Sequence, residues 1–317
     1  MVKRNYHLRD GISYIYLIPA YALMAVFVFY PIVNTIVTSG KVGYKFLTGA
    51  FVSYGFETYY AILTDPIFHR ACINTAFIVF VCVPASMLLA LGIALLLNSI
   101  RKLKDFFVTL FYLPQVTNVI AAGMVFALIF NNNFGLINMV LGWFGIEPIA
   151  WISGIGIAGS EELYRQSYFR CLFVLFVYEV WSGLSLKVLL FIGGLQNINK
   201  QYYQAAHIDG TSRWNIFRKI TLPLLSPTTI YIYVTSSITA FKAYSAVIAL
   251  FGDKFGPAGD NSKMMITIVG YIMDSMGDYL SVDAVSKASA AAVLLMVIIL
   301  ILTLIQLKMT GKRVHYK

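Results

Sequence analysis

Charge is scarce in this chain. Asp, Glu, Lys and Arg make up 12% of its 317 residues, against roughly a quarter in ordinary soluble domains, and hydrophobic residues reach 59%. So few charged side chains cannot clothe a water-facing exterior, which excludes a soluble globular fold. Cysteine is sparse as well. Cys72, Cys82 and Cys171 fall in or at the ends of apolar runs with no CxxC or His-rich spacing, so packing roles are expected and neither a disulfide framework nor a metal site is. His7, His69, His207 and His315 are scattered, with no HExxH around them, and there is no GxSxG. Zinc chemistry and a serine triad are therefore unsupported. A phosphate-cradling GxxxxGK[ST] loop is missing too, so ATP hydrolysis by this chain is not expected. No Ser- or Pro-rich linker, low-complexity tract or internal repeat divides the sequence, and residues 1–317 read as one domain.

What is there is a set of long apolar runs. A hydrocarbon core of about 30 Å takes about 20 apolar residues per helix. Six stretches fit: Tyr14–Ile36, Cys72–Leu97, Phe107–Phe130, Cys171–Gly193, Thr228–Phe251 and Ala288–Leu307. The fourth fits least well, because Glu179 and Lys187 interrupt it. The expected fold is all-α and polytopic, with six transmembrane helices. Lys3, Arg4 and Arg9 before the first run suit a signal peptide, but the run is too long for a signal core and lacks a small-residue cleavage site, so a retained helix is expected.

Six spans put both termini on one side, and Lys and Arg mark the cytoplasmic side. One set of segments carries Lys3, Arg4, Arg9, Arg101, Lys102, Lys104, Lys200, Arg213, Arg218, Lys219, Lys308, Lys312, Arg313 and Lys317, opposed only by Asp10, Asp105 and Asp209. The other carries Lys41, Lys45, Arg70, Arg165, Arg170, Lys254, Lys263 and Lys287 against carboxylates that include Asp253, Asp260, Asp274, Asp278 and Asp283. Cytoplasmic termini follow. The same sidedness accounts for the net charge of +10, which on a soluble chain would suggest a nucleic-acid partner.

The outer connections, 37–71, 131–170 and 252–287, are rich in aromatic, Gly and Asn residues; within the second, helix-like apolar spacing over 131–151 suits a short interfacial helix. The longest inner connection, 194–227, is too polar to cross a membrane and too well patterned for disorder. Gln201 to Asp209 are good helix formers, and Gly210 suits the left-handed residue that ends a helix. Thr211 or Ser212 can cap a second short helix carrying Trp214, Phe217 and Ile220, which Pro223 and Pro227 are expected to stop. A helix with adjacent alanines, fixed at an angle by a glycine turn, is suited to docking as a rigid lever.

These residues carry a family resemblance. Gln204-Ala205-Ala206, then Gly210, then Ile220-Thr221-Leu222-Pro223 resemble the conserved cytoplasmic loop of ABC importer permeases, EAA, three residues, G, nine residues, I, one residue, LP. The resemblance runs over nearly the whole chain: YEVWSGLSLKVLLFIGGLQNI, FETYYAILTDPIFHRACINTAF and FGPAGDNSKMMITIVGYI look like the sugar-importer branch, with its maltose-type and glycerol-phosphate-type permeases. It implies a type I ABC importer permease fold in a bacterial inner membrane. It also implies a second homologous permease, two ATP-binding subunits that use ATP and Mg, and an extracytoplasmic solute-binding protein; no cofactor is bound by this chain. The coupling residues it implies are Gln204, Ala205, Ala206, Asp209, Gly210, Ile220, Leu222 and Pro223. One position departs: Gln204 stands where the family has Glu, an amide that hydrogen-bonds without the charge.

Ionisable groups inside a bilayer are costly and default to functional candidates. Glu179, Gly183 and Lys187 share one helical face with Ser182 beside it, and Thr228, Tyr231, Thr235, Thr239 and Lys242 form a second polar stripe. The candidate sugar contacts are Glu179, Trp181, Ser182, Tyr231 and Thr235, the aromatics stacking on sugar faces and the polar groups matching hydroxyls. In the third span, Gln115, Thr117 and Asn118 follow Pro114 and suit a pore lining or a kink. Helix packing, ion pairs between subunits and snorkelling are the competing roles for the charges. The rival function is an ion-coupled secondary transporter or channel, which would use the polar stripes but not the patterned inner loop.

Overall fold

The computed structural model describes residues 7–100, 102–152, 161–257 and 262–311. Lys3, Arg4, Arg101, Asp260, Lys312, Arg313, His315 and Lys317 lie outside the described residues. The chain forms two compact units, one of residues 1–64 and 272–294, the other of residues 65–271 and 295–317.

In chain order the helices are α1 (Tyr16–Ser39), α2 (Glu57–Leu63), α3 (Pro66–Ser99), α4 (Lys104–Val116), α5 (Val119–Ile129), α6 (Leu136–Trp143) and α7 (Glu161–Gln196). Beyond these come α8 (Lys200–Ile208), α9 (Arg213–Ile216), α10 (Ser226–Phe241), α11 (Ser245–Phe251), α12 (Ile268–Gly277) and α13 (Ala284–Gly311). Helices α1, α3, α7 and α13 are each long and apolar enough to cross a membrane. The pairs α4 with α5 and α10 with α11 pass only together, bent by 99° and 55°. Counting each pair as one gives six spans, where the apolar runs put them, but the third and fifth are broken rather than straight.

Each irregularity has a local cause. Within α3, Ile78–Cys82 form a π turn just ahead of Pro84, whose ring and missing N–H widen the preceding turn. Between α4 and α5 the chain is extended at Thr117 and Asn118, and Asn118 Oδ1 accepts from the N–H groups of Ile120 and Ala121 at 2.9 and 3.2 Å. That cap satisfies two donors that a continuous helix would have paired with its own backbone. Past the break, α5 packs on α11 at very short range: a Cβ on Gly123 would lie 2.3 Å from Ala249 Cβ. Without a hydrophobic drive between helices in lipid, such close backbone approach supplies the attraction.

The larger unit also holds non-helical backbone. Met264, Met265, Ile266 and Thr267 are fully buried in a non-helical stretch that turns at Met264 and Met265, where every polar backbone group must find a protein partner. Asn74 of α3 donates to the carbonyls of Met264 and Ile266 at 3.1 and 2.8 Å, Thr75 Oγ1 accepts from Ile268 N at 3.0 Å, and Arg70 donates to Ser262 O at 2.8 Å. Asn74 is in turn held by the Tyr168 hydroxyl at 2.7 Å. The segment read from sequence as an outer connection thus has a buried, irregular core and the helix α12. In the smaller unit a two-residue hairpin, Lys41–Val42 with Ser53–Tyr54, and a reciprocal pair of bonds between Tyr44 and Asp283 order the connection after α1.

Towards the other end of α3 and α7, Ala90, Ala94 and Leu97 meet Val188, Phe191, Ile192 and Leu195, with Ile198, Leu225 and Ile232 completing the cluster. The alanines are one turn apart and let the two helices close on each other. Gly194 does the same for the start of α10, since a Cβ there would lie 2.8 Å from Leu225 Cδ1.

Candidate functional site

Helix α7 runs unbroken for 36 residues, through both Glu179 and Lys187 in its apolar part. A period of 3.6 residues puts Glu179, Gly183 and Lys187 in one line. That line forms one wall of a cavity of about 520 Å³, completed by Cys82 and Ser86 of α3, Gln115 of α4, Thr235 and Thr239 of α10, and Lys242 at the break before α11. Both broken spans therefore contribute to the cavity where they bend.

Lys187 is 7% exposed, and its side chain leans back toward the helix N-terminus, so that Nζ lies beside Gly183 and donates to Ser86 Oγ at 2.7 Å. The missing side chain at position 183 makes the room: a Cβ there would sit 2.7 Å from Nζ and 3.4 Å from Ser86 Oγ. Glu179, half-buried one turn further on, makes no hydrogen bond with another described residue. Its carboxylate therefore keeps its acceptor capacity for the cavity. Thr235 and Thr239 donate their hydroxyl protons to the carbonyls of Tyr231 and Thr235 at 2.7 and 3.0 Å, leaving lone pairs to face the same space. The wall offers one anion, two cations and several acceptors.

Of the candidates read from sequence, Glu179, Ser182 and Thr235 line the cavity. Gln115 lines it as well, whereas Trp181, Tyr231 and Asn118 do not. Trp181 packs on Phe126 of α5, ring centroids 5.0 Å apart. Tyr231 is 57% exposed on α10, and Asn118 is occupied as the cap of α5. Tyr178 holds that break, donating to Val119 O at 2.9 Å. Ser86 was not singled out by the sequence: one serine in the apolar run VPASMLLAL carries no signal until α3 is laid against Lys187.

The connection 194–227 builds a second feature. Asn199 caps α8 by accepting from Gln201 N at 3.0 Å. At the other end Gly210 has φ +66°, Gly210 N donates to His207 O at 3.2 Å and Thr211 N to Ala206 O at 2.9 Å. This paired pattern is the Schellman ending, and it fixes the direction in which the chain leaves α8 for α9. Ala206 is buried inside the loop whereas Ala205, Gln204 and Asp209 are exposed, so only one of the adjacent alanines is free to meet another surface. Ala205, Ala206 and Asp209 with Tyr202, Asn215 and Ile220 line a groove of about 550 Å³. Ile208, 86% exposed, and Trp214, 67% exposed, project from the loop. Pro223 and Pro227 do not stop the second helix as expected. The chain passes from α9 through a π turn at Phe217–Thr221, and each proline falls in the first turn of the next helical piece, where its missing N–H costs nothing. Leu225, fully buried, anchors this passage in the cluster between α3 and α7.

Comparison with known proteins gives three results. The family model described as binding-protein-dependent transport system inner membrane component matches residues 83–315. The arabinooligosaccharides transport system permease protein AraP of Halalkalibacterium halodurans is 30% identical over 95% of this chain and 88% of its own length, and the trehalose/maltose transport system permease protein MalF of Thermococcus litoralis is 27% identical over 94% and 93%. Among solved structures, a chain of the bacterial alginate ABC transporter in complex with an alginate pentasaccharide-bound periplasmic protein superposes with a TM-score of 0.74 at 20% identity, covering 96% of this chain and 95% of that one.

Proposed function

From the premise that the chain belongs to the binding-protein-dependent transport system inner membrane component family, we propose that it is the pore-forming subunit of an ATP-driven importer for a sugar or oligosaccharide. In this reading the sugar passes from an extracytoplasmic binding protein, through a path shared with a second homologous permease, into the cytoplasm of a bacterial cell. Two ATP-binding subunits hydrolyse ATP with Mg; this chain hydrolyses nothing and binds no cofactor of its own. Residues 1–317 act as one permease domain in the inner membrane, surrounded by lipid, with both termini cytoplasmic, a reading that the Lys and Arg distribution supports. The sugar specificity is supported by the names of the two relatives, each a sugar permease.

The observation that carries the reading is the mechanical continuity of the inner loop. Helix α8 presents Gln204, Ala205 and Asp209 outward, the Schellman turn at Gly210 fixes its direction, and the segment Ile220, Leu222, Pro223 leads to Leu225 in the core. That core joins α7 and α10, which line the cavity. A push on α8 is therefore delivered to the helices that bear Glu179, Ser182 and Thr235, the proposed sugar contacts. Neither an ion-coupled transporter nor a channel needs such a lever.

The test is ATP hydrolysis by the complex that co-purifies with this chain in mild detergent, with and without its binding protein and a panel of oligosaccharides. Stimulation by one sugar-loaded binding protein is expected. A chain that purifies alone, with uptake following an ion gradient, overturns the reading in favour of a secondary transporter. Gly210→Pro demands φ near −65° where the backbone stands at +66°, and is expected to abolish ATP-coupled uptake while leaving the protein in the membrane.

A further inference from the structure

A buried ammonium and a half-buried carboxylate on one wall of a transport cavity are expensive unless they serve a ligand or each other. Here they only partly serve each other. Lys187 Nζ reaches back to the level of Gly183, about one helical turn, or about 5.4 Å, short of Glu179. Among the described residues the two form no ion pair within 4.0 Å. Ser86 takes one proton of the ammonium, which leaves two donors, and the Glu179 carboxylate leaves all of its acceptor positions. The separation of the two groups suits one or two hydroxyls placed between them.

Resting on the importer reading above, we propose that Lys187 and Glu179 form a split pair of opposite charges that selects an uncharged, polyhydroxylated sugar segment over one bearing a carboxylate, with Gly183 and Ser86 as the positioning residues that hold the ammonium. Each sugar hydroxyl both donates and accepts, so adjacent hydroxyls bridge the pair, giving a proton to Glu179 and a lone pair to Lys187. A carboxylate in the same place satisfies Lys187 but meets Glu179 as a like charge in a poorly solvated site, and such repulsion is an effective way to reject a competitor. The remaining charged group of the wall, Lys242, is exposed at the break, where solvent and salt screen it, so it does little to offset that rejection.

The experiment measures direct binding of labelled neutral trisaccharides of glucose, arabinose and galactose, and of trigalacturonate, to the assembled complex, alongside stimulation of its ATPase. Wild type is expected to bind a neutral trisaccharide at least about tenfold more tightly than trigalacturonate. Glu179→Gln narrows that ratio about tenfold, and Glu179→Asp, which keeps the charge, restores most of it. Lys187→Met weakens the neutral sugar by roughly 10- to 100-fold, the loss of a charge-assisted hydrogen bond. Gly183→Ala keeps both charges but displaces the ammonium, and weakens the neutral sugar less than Lys187→Met does. A purely structural role would leave the neutral-to-anionic ratio unmoved, so an unchanged ratio in Glu179→Gln overturns the proposal, as does a wild type that prefers trigalacturonate. A complex whose ATPase responds to no loaded binding protein overturns the importer reading, and this proposal with it.

Discussion

The third and fourth spans invert what their composition suggests. The fourth, α7, carries Glu179 and Lys187 and is continuous for 36 residues. The third holds no charge between Phe106 and Phe130, yet it turns through 99° between α4 and α5. A charged side chain leaves the i to i+4 backbone bonds intact and needs only somewhere to go; the cavity and Ser86 provide that for α7. A helix breaks where its backbone is offered something else. Pro114 removes a donor, and Asn118 supplies an acceptor for the N–H groups that open α5.

The sharpest way to break this contrast is to wedge the second half of the broken span. Gly123→Leu forces side-chain atoms into Ala249, whose Cβ lies 2.3 Å from the position a Cβ would take, and is expected to cost about 3 kcal/mol and to lower the unfolding temperature of the purified protein. A midpoint equal to wild type would mean that α5 and α11 do not approach as closely as described. Next in size is Asn74→Ala in α3, which strands the carbonyls of Met264 and Ile266. A loss of about 2 kcal/mol is expected, with faster proteolysis in the 262–267 stretch as the readout. Asn118→Ala uncaps α5 and should cost about 1 kcal/mol, while Asn118→Ser or Asn118→Asp keeps most of it. Equal stability of Ala and Ser at this position would show that the break is held by packing alone.

The smallest effect is expected from stripping the charges of α7. The double change Glu179→Gln with Lys187→Met leaves stability within about 1 kcal/mol of wild type, or raises it, because two costly burials disappear together. Hydrogen exchange across 175–190 should be unchanged; rapid exchange there would mean that the charges help keep α7 whole.

Much of the fold was legible because hydrophobic length is a local property. Four of the six runs lie in single helices long and apolar enough to cross a membrane, the other two in bent pairs, and the short helix expected within 131–151 is α6. Gly210 was legible for the same reason: a helix that must end in the left-handed region leaves its mark at one position. The candidate site was only half legible. Glu179, Ser182 and Thr235 stand out as polar groups on stripes of helical period, and they line the cavity. Trp181 and Tyr231 are equally conspicuous in sequence, but which side of a helix faces the cavity depends on how α7 and α10 are rotated against their neighbours.

The sequence by itself determined the membrane class, the position of the apolar helices and the helix-turn-helix within 194–227, since each arises from residues near one another in the chain. Only the tertiary structure decided where the third and fifth spans bend, that Asn74 and Thr75 satisfy a buried turn segment some 190 residues away, and that Lys187 ends on Ser86, 101 positions before it. A buried polar group must find a partner, but its own sequence neighbourhood does not say which one; that choice is made when the helices close on each other.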